Sequence, residues 1–228
     1  MKTHSQRSHC YWCGNQATSD DHVPPKGFYP TALRKNLITV PSCTEHNTGF
    51  HQLDERMRFY IQAVSETPIA EEAFTGATIR GLLKPEAPGF LKKIVSSMRT
   101  ALVDGKPGVS GSVEAGDVEK FSERLARGIH FWHYKSQLKG KIFLTNTHMV
   151  HLNVNVSPGI LALEEMVQHL QKGQVTHDQV FRYWYGKVKE PGGEGFLFKA
   201  VFYETVGFYV TAIDLREDDK KPINESKC

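Results

Sequence analysis

The strongest constraint on how this chain folds lies in its first fifty residues. Cys10-Tyr-Trp-Cys13-Gly14 and Cys43-Thr-Glu-His46 each place two ligand-type side chains two residues apart. A Cys-x2-Cys turn backed by glycine lets both sulfurs reach one ion, and a Cys-x2-His pair completes a closed tetrahedral set of the kind typical of structural Zn²⁺. One pair would leave buried free thiols an even alternative; two pairs argue against it. Such an ion also does folding work, because about sixty residues bury too little apolar surface for comfortable stability and metal binding supplies the missing free energy. His4 and His9 lie near in sequence but are weaker ligand candidates. Three of the four cysteines crowd the N-terminus and Cys228 is the last residue, a distribution that fits metal ligation rather than a disulfide framework.

With 39% hydrophobic and 23% charged residues, the 228-residue chain has an ordinary globular composition, so disorder is not the default. A formal charge of +3 permits a polyanionic partner without demanding one. No run approaches the roughly 18 apolar residues of a membrane span, and the polar start MKTHSQRSHC lacks the apolar middle of a secretory signal. The expected location is the cytoplasm, with no membrane partner.

Phe50, Leu53, Met57, Tyr60, Ile61 and Val64 recur at spacings of three and four, so the N-terminal block closes with an amphipathic helix. A Gly- and Pro-containing connector follows. Phe90, Leu91, Ile94, Val95, Met98 and Leu102 predict a second helix that stops at Asp104-Gly105-Lys106-Pro107-Gly108, before a loop. Phe121, Leu125, Ile129 and Trp132 predict a third, and Ser157-Pro158 opens a fourth running to about Lys172. From Gln179 the stretches VFRYWY, GFLFKAVFY and VGFYVTAI read as an antiparallel meander. The expected class is α+β in two parts: residues 1–65 around the metal, then 66–228 with helices followed by the meander, ending in a polar tail at 216–228.

Between the two ligand pairs lie Asp20-Asp21-His22-Val-Pro-Pro25 and Asn36-Leu-Ile-Thr-Val, with Asn47 just beyond the second pair. Singly, each has a plain structural explanation: Asp-His as a cap or surface pair, Asn36 as a turn residue, Asn47 as a helix cap. Together and in this order they resemble the HNH nucleases, whose ββα-metal module pairs Asp-His-x-x-Pro with a downstream Asn before an apolar strand, a Cys-x2-Cys-like pair, and a His or Asn opening the helix. The resemblance covers residues 10 to about 60, with His46 standing where a cysteine is usual.

It implies a zinc-bound ββα-metal module with Cys10, Cys13, Cys43 and His46 as structural Zn²⁺ ligands, and a metal-dependent endonuclease acting on nucleic acid, DNA foremost. His22 would be the general base, Asn36 the residue that orients its ring, and Asp21 and Asn47 the oxygen donors to Mg²⁺ or Mn²⁺. His51 is a further ligand candidate and Asp20 a supporting residue. The types suit the reaction, since phosphodiester hydrolysis needs an activated water, charge neutralisation at phosphorus and a stabilised leaving oxygen. Small HNH proteins of this kind also imply a role in restriction or anti-phage defence, beside an ATPase or sensor subunit. The competing expectation is a non-catalytic, zinc-stabilised module that binds nucleic acid or protein.

Outside the resemblance, Arg124, Arg127, His130, His133 and Lys135 surround Phe131, Trp132 and Tyr134, a mixture able to contact phosphates and stack on bases or, as the favoured reading, to form a solvated face. Arg182, Tyr183, Trp184, Tyr185, Lys187 and Lys189 predict a sheet covered by a helix on one side, with the other side open to a partner.

Overall fold

A computed structural model describes residues 9–82, 88–103, 106–139, 141–143, 150–151, 158–190 and 193–213. The expected tail at 216–228, Cys228 and His4 lie outside them. Among the described residues, no helix is long and apolar enough to cross a membrane.

The fold is mixed α+β. β1 (Ser19–His22) and β2 (Thr39–Ser42) form an antiparallel hairpin with Asp21 opposite Val40 and His22 opposite Thr39. Short 3-10 turns at Lys26–Phe28 and Thr31–Leu33, each entered from a proline, fill the connection. α1 (Thr44–Thr48) and α2 (His51–Val64) follow, and α2 buries the expected Leu53, Met57, Tyr60 and Ile61.

α3 (Pro68–Ala73), with Thr67 accepting from the Ala70 amide at its start, passes through a π-helical turn at Phe74–Thr78 into α4 (Ile79–Leu82). α5 (Pro88–Ser97) ends earlier than its apolar spacing suggests. Met98 and Leu102 leave the helix, and β3 (Arg99–Val103) pairs with β4 (Lys106–Ser110). Asp104 and Gly105 of the expected stop lie outside the described residues; in sequence Asp-Gly marks a hairpin as readily as a helix end, and Thr100, Val103 and Val109 favour strand.

α6 (Ala115–Tyr134) is the longest helix and buries Phe121, Leu125 and Ile129. β5 (Lys141–Phe143), β6 (Val150–His151), α7 (Pro158–Val167) and β7 (Gln171–Lys172) lead to the meander β8 (Phe181–Glu190), β9 (Gly193–Phe202) and β10 (Val206–Ile213). The sheet order is β5-β10-β9-β8-β7, with β6 also on β10. Gln171 and Lys172, expected as the end of a helix, pair instead with Tyr185 and Trp184.

One apolar core joins the N-terminal hairpin to the meander. The Phe28 ring lies 5.5 Å from Phe121 of α6 and 4.9 Å from Phe202 of β9. A polar chain adds to it: Thr78 donates to Gln62, Gln62 to the Tyr203 hydroxyl, and that hydroxyl to the Phe28 carbonyl. The expected division near Ser65 therefore passes through a shared core. The other side of the sheet is not left open, because Ile160, Leu163 and Val167 of α7 cover Tyr209 and Trp184, and Glu164 takes Lys199 and the Tyr209 hydroxyl.

α6 reaches the hairpin through Gly128, where a Cβ would stand 2.5 Å from a Val23 methyl. Alanine would gain up to about 1 kcal/mol of helix propensity, but overpacking a filled core costs about 1–3 kcal/mol. Gly128→Ala is therefore expected to lower the urea midpoint; an unchanged or raised midpoint would show that α6 does not press on Val23.

Candidate metal centre and adjoining cleft

The two ligand pairs meet. Gly14, at φ +79°, turns the chain behind Cys13 while its amide donates to the Cys10 carbonyl. The Tyr11 amide bonds to the Pro41 carbonyl, which ties this turn to β2. Cys43 stands at the N-cap of α1 and His46 in its body. The four donor atoms lie within 4.8 Å of one another, with Cys13 Sγ 3.8 Å from Cys43 Sγ and Cys43 Sγ 3.2 Å from His46 Nδ1. Metal–sulfur bonds of about 2.3 Å in a tetrahedron set sulfurs about 3.8 Å apart, so the cluster could bind a metal such as zinc. Burial pushes the Cys10 thiol up, but backbone amides of Cys13, Cys43 and Trp12 outweigh it and bring the thiol below its ordinary pKa, whereas burial and the neighbouring Cys10 and Cys43 thiols push Cys13 up to about 11.

Residues of the C-terminal part hold this corner. Trp12 stacks on His46 at 5.5 Å, the Arg127 guanidinium lies 5.0 Å above Trp12, and Gln137 donates to the carbonyls of Cys10 and Trp12. Arg127 also bonds Glu123 and the Leu138 carbonyl, His130 bonds the Ser136 carbonyl, and His133 stacks on Tyr185 at 3.6 Å. Most of the basic and aromatic cluster expected as a solvated face is thus engaged in internal packing. Lys135 differs: it is exposed and sits over Trp132.

Beside the metal corner, a cleft of about 610 Å³ is lined by Asp20, Asp21, His22, Asn47 and His51 among others. Strand alternation sets the roles within it: Asp20 is exposed and His22 half-buried on one face of β1, while Asp21 points inward and is buried. Burial first, and Lys26 second, lower the His22 pKa, so its imidazole is neutral and able to accept a proton near neutral pH. Asn47 donates through Nδ2 to Ser19 Oγ at 2.7 Å and more weakly to the Asp20 carbonyl. His51 keeps a side chain 73% exposed, 3.9 Å from Glu55. The helical turn expected between Asn47 and His51 is split between α1 and α2, yet both line the cleft.

Two expected residues stand differently. Asn36, at φ 53°, lines a separate depression with Tyr29, Ile38 and Trp132, and its carbonyl accepts from Thr176. No hydrogen bond joins it to His22 among the described residues. Asp21 takes Arg124 Nη2 at 2.7 and 2.8 Å on its two oxygens, and Oδ2 also accepts from Arg124 Nε and from the Tyr11 hydroxyl at 3.1 Å. Burial and the Asp21 charge raise the Tyr11 pKa well above its ordinary value, which keeps that hydroxyl a donor.

Arg124 is the residue whose part the sequence did not disclose. Its side chain is 2% exposed and also pairs with Asp54 of α2, so one guanidinium from α6 fastens the hairpin and the helix that frame the cleft. Its place between Phe121 and Leu125 on a buried stripe was the available signal, since a cation there requires an acid partner.

No protein-family model matches the chain, and no curated protein or solved structure matches it.

Proposed function

We propose that the chain is a metal-dependent endonuclease of HNH type that hydrolyses phosphodiester bonds in DNA, with His22 as general base. One observation carries this reading: the half-buried His22 imidazole, its pKa lowered by burial, stands in a cleft beside Asp20, Asn47 and His51, on a hairpin flanked by the Cys/His cluster. Zinc held by Cys10, Cys13, Cys43 and His46 fixes the turn and the helix start on either side of that hairpin.

Fit to a hard cation is uneven. The Asp20 carboxylate and Asn47 Oδ1 have no hydrogen-bond partner among the described residues, and His51 is well exposed. These three can offer donor atoms at little cost, whereas Asp21 would have to share its oxygens with Arg124 and Tyr11. Asp21 therefore serves best as the buried anchor of β1. Mg²⁺ or Mn²⁺, when bound, neutralises charge at the phosphate and on the leaving oxygen. His22 takes the proton from the attacking water, and the Ser19 hydroxyl holds the Asn47 amide in place.

The Arg124 grip on Asp21 also favours a second reading, in which the cleft binds nucleic acid without turnover. A supercoiled-plasmid assay with Mn²⁺ separates the two. Wild type is expected to nick or cut, and His22→Ala to slow cleavage by about 10²–10⁴-fold with tightly held zinc unchanged by metal analysis. Equal cutting by both proteins would remove His22 from the mechanism; retention of DNA with no metal-dependent cutting by wild type would favour the binding module.

A further inference from the structure

Arg58 follows Asp54 by one turn on α2 and lines both the His22 cleft and a neighbouring one of about 520 Å³. Its Nε is buried with no acceptor, and among the described residues it forms no ion pair. A guanidinium with five fixed donors is seldom left so, because a buried donor without an acceptor carries an uncompensated loss of hydration. Arg124, a second guanidinium of this cleft, has two carboxylates.

The surroundings of Arg58 add positive charge. A Cβ on Gly27 would stand 2.8 Å from Arg58 Nη1, so the Lys26–Phe28 turn lies against the guanidinium. Lys26 and Arg34 line the same cleft, and neither has a carboxylate partner among the described residues; Arg34 Nε donates only to the Tyr29 carbonyl. Of the acids lining the cleft, Asp21 and Asp54 are taken by Arg124, Glu55 lies beside His51, and Asp20, whose carboxylate has no hydrogen-bond partner among the described residues, stands on the His22 face of β1. Burial foremost lowers the Arg58 pKa, with Arg34 acting in the same direction and Glu55 and Asp54 against it. Arg34 repels the Arg58 guanidinium, which carries a buried orphan donor, and Lys26 brings a third cation without an ion-pair partner to the same cleft, an arrangement that an anion would relieve.

We infer that Arg58, Lys26 and Arg34 form a subsite for a phosphate of a nucleic-acid strand, beside the phosphate presented to His22. The subsite rests on the nuclease reading of the cleft. It binds before chemistry and needs no divalent cation: the guanidinium supplies a planar pair of donors and Lys26 a mobile charge at the rim.

The test measures anisotropy of a labelled DNA duplex with zinc-loaded, full-length protein, in buffer free of other divalent ions and over a range of NaCl. Each phosphate contact contributes about 0.9 to the slope of log K against log salt. Lys26→Gln, Arg34→Gln and Arg58→Gln are each expected to flatten that slope by about one, while Lys172→Gln, exposed on β7 and lining neither cleft, leaves it unchanged. Lys26 is exposed, so its variant reports on the subsite without disturbing the core; Arg58→Lys, which keeps the charge, is expected to keep the slope. Unchanged slopes for both Lys26→Gln and Arg34→Gln overturn the subsite. The plasmid assay keeps the two ideas apart: flattened slopes without cleavage sink the nuclease reading and leave the phosphate subsite, whereas cleavage with unchanged slopes sinks the subsite alone.

Discussion

Arg124→Met is expected to destabilise the protein by about 3–5 kcal/mol, the usual cost of stranding the partner of a buried ion pair. Methionine fills the volume but leaves two carboxylates, Asp21 and Asp54, facing each other without their shared cation. The loss also carries a pH signature. Burial pushes the Asp54 carboxyl up to about 6 even with Arg124 opposing it. Without Arg124 the folded-state value rises further above the unfolded one, so the folded state favours the proton. Stability from such a group is fully present below its unfolded pKa and is lost as pH rises through the folded one. The gap between wild type and variant is therefore expected to be smaller at pH 6 than at pH 8 in urea titrations. A gap independent of pH would mean that the acids are not stranded. Adding Asp21→Asn and Asp54→Asn to Arg124→Met should recover part of the stability, since removing a whole buried charge cluster costs less than breaking it.

The same network shows which parts of the site can be read in a sequence. The Cys/His pairs are local: each is fixed by a spacing of two and a turn, and Gly14 takes the positive φ that such a turn requires. The α2 stripe is legible for the same reason, because helical periodicity is a short-range property. Asp21 is different. Its residue type is equally suited to a metal ligand or to a salt bridge, and its salt-bridge partner, Arg124, lies more than a hundred residues away. Strand alternation already places Asp21 and His22 on opposite faces of β1, a hint that one of them would be buried against the core. Asn36 lines a depression apart from His22, and its order before an apolar strand says nothing about where the left-handed turn at φ 53° aims it. The β3–β4 hairpin was hidden by an ambiguity between stop signals, since Asp-Gly ends helices and joins strands alike.

With zinc at the Cys/His cluster, as we propose, its removal is expected to have the largest effect of any single change, and its reach follows from the shared core. Structural zinc contributes about 10–16 kcal/mol of apparent binding free energy in small zinc-stabilised folds at neutral pH, comparable with the roughly 5–15 kcal/mol total stability of a typical domain. Cys43→Ser removes the thiol that lies 3.8 Å from Cys13 Sγ and 3.2 Å from His46 Nδ1, so it should abolish zinc retention. The hairpin then loses its fixed ends. Trp12, stacked on His46 and covered by Arg127, loses its platform, and Phe50 packs against both rings. From there the damage passes to α6 through Gln137 and Arg127, and to the meander through Phe28 against Phe121 and Phe202. Hydrogen exchange on zinc-stripped protein should therefore show lost protection in β9 and α6 as well as in residues 9–64. Protection confined to a surviving meander, with only the N-terminal residues exchanging, would show that the metal stabilises its own corner and that the meander folds without it.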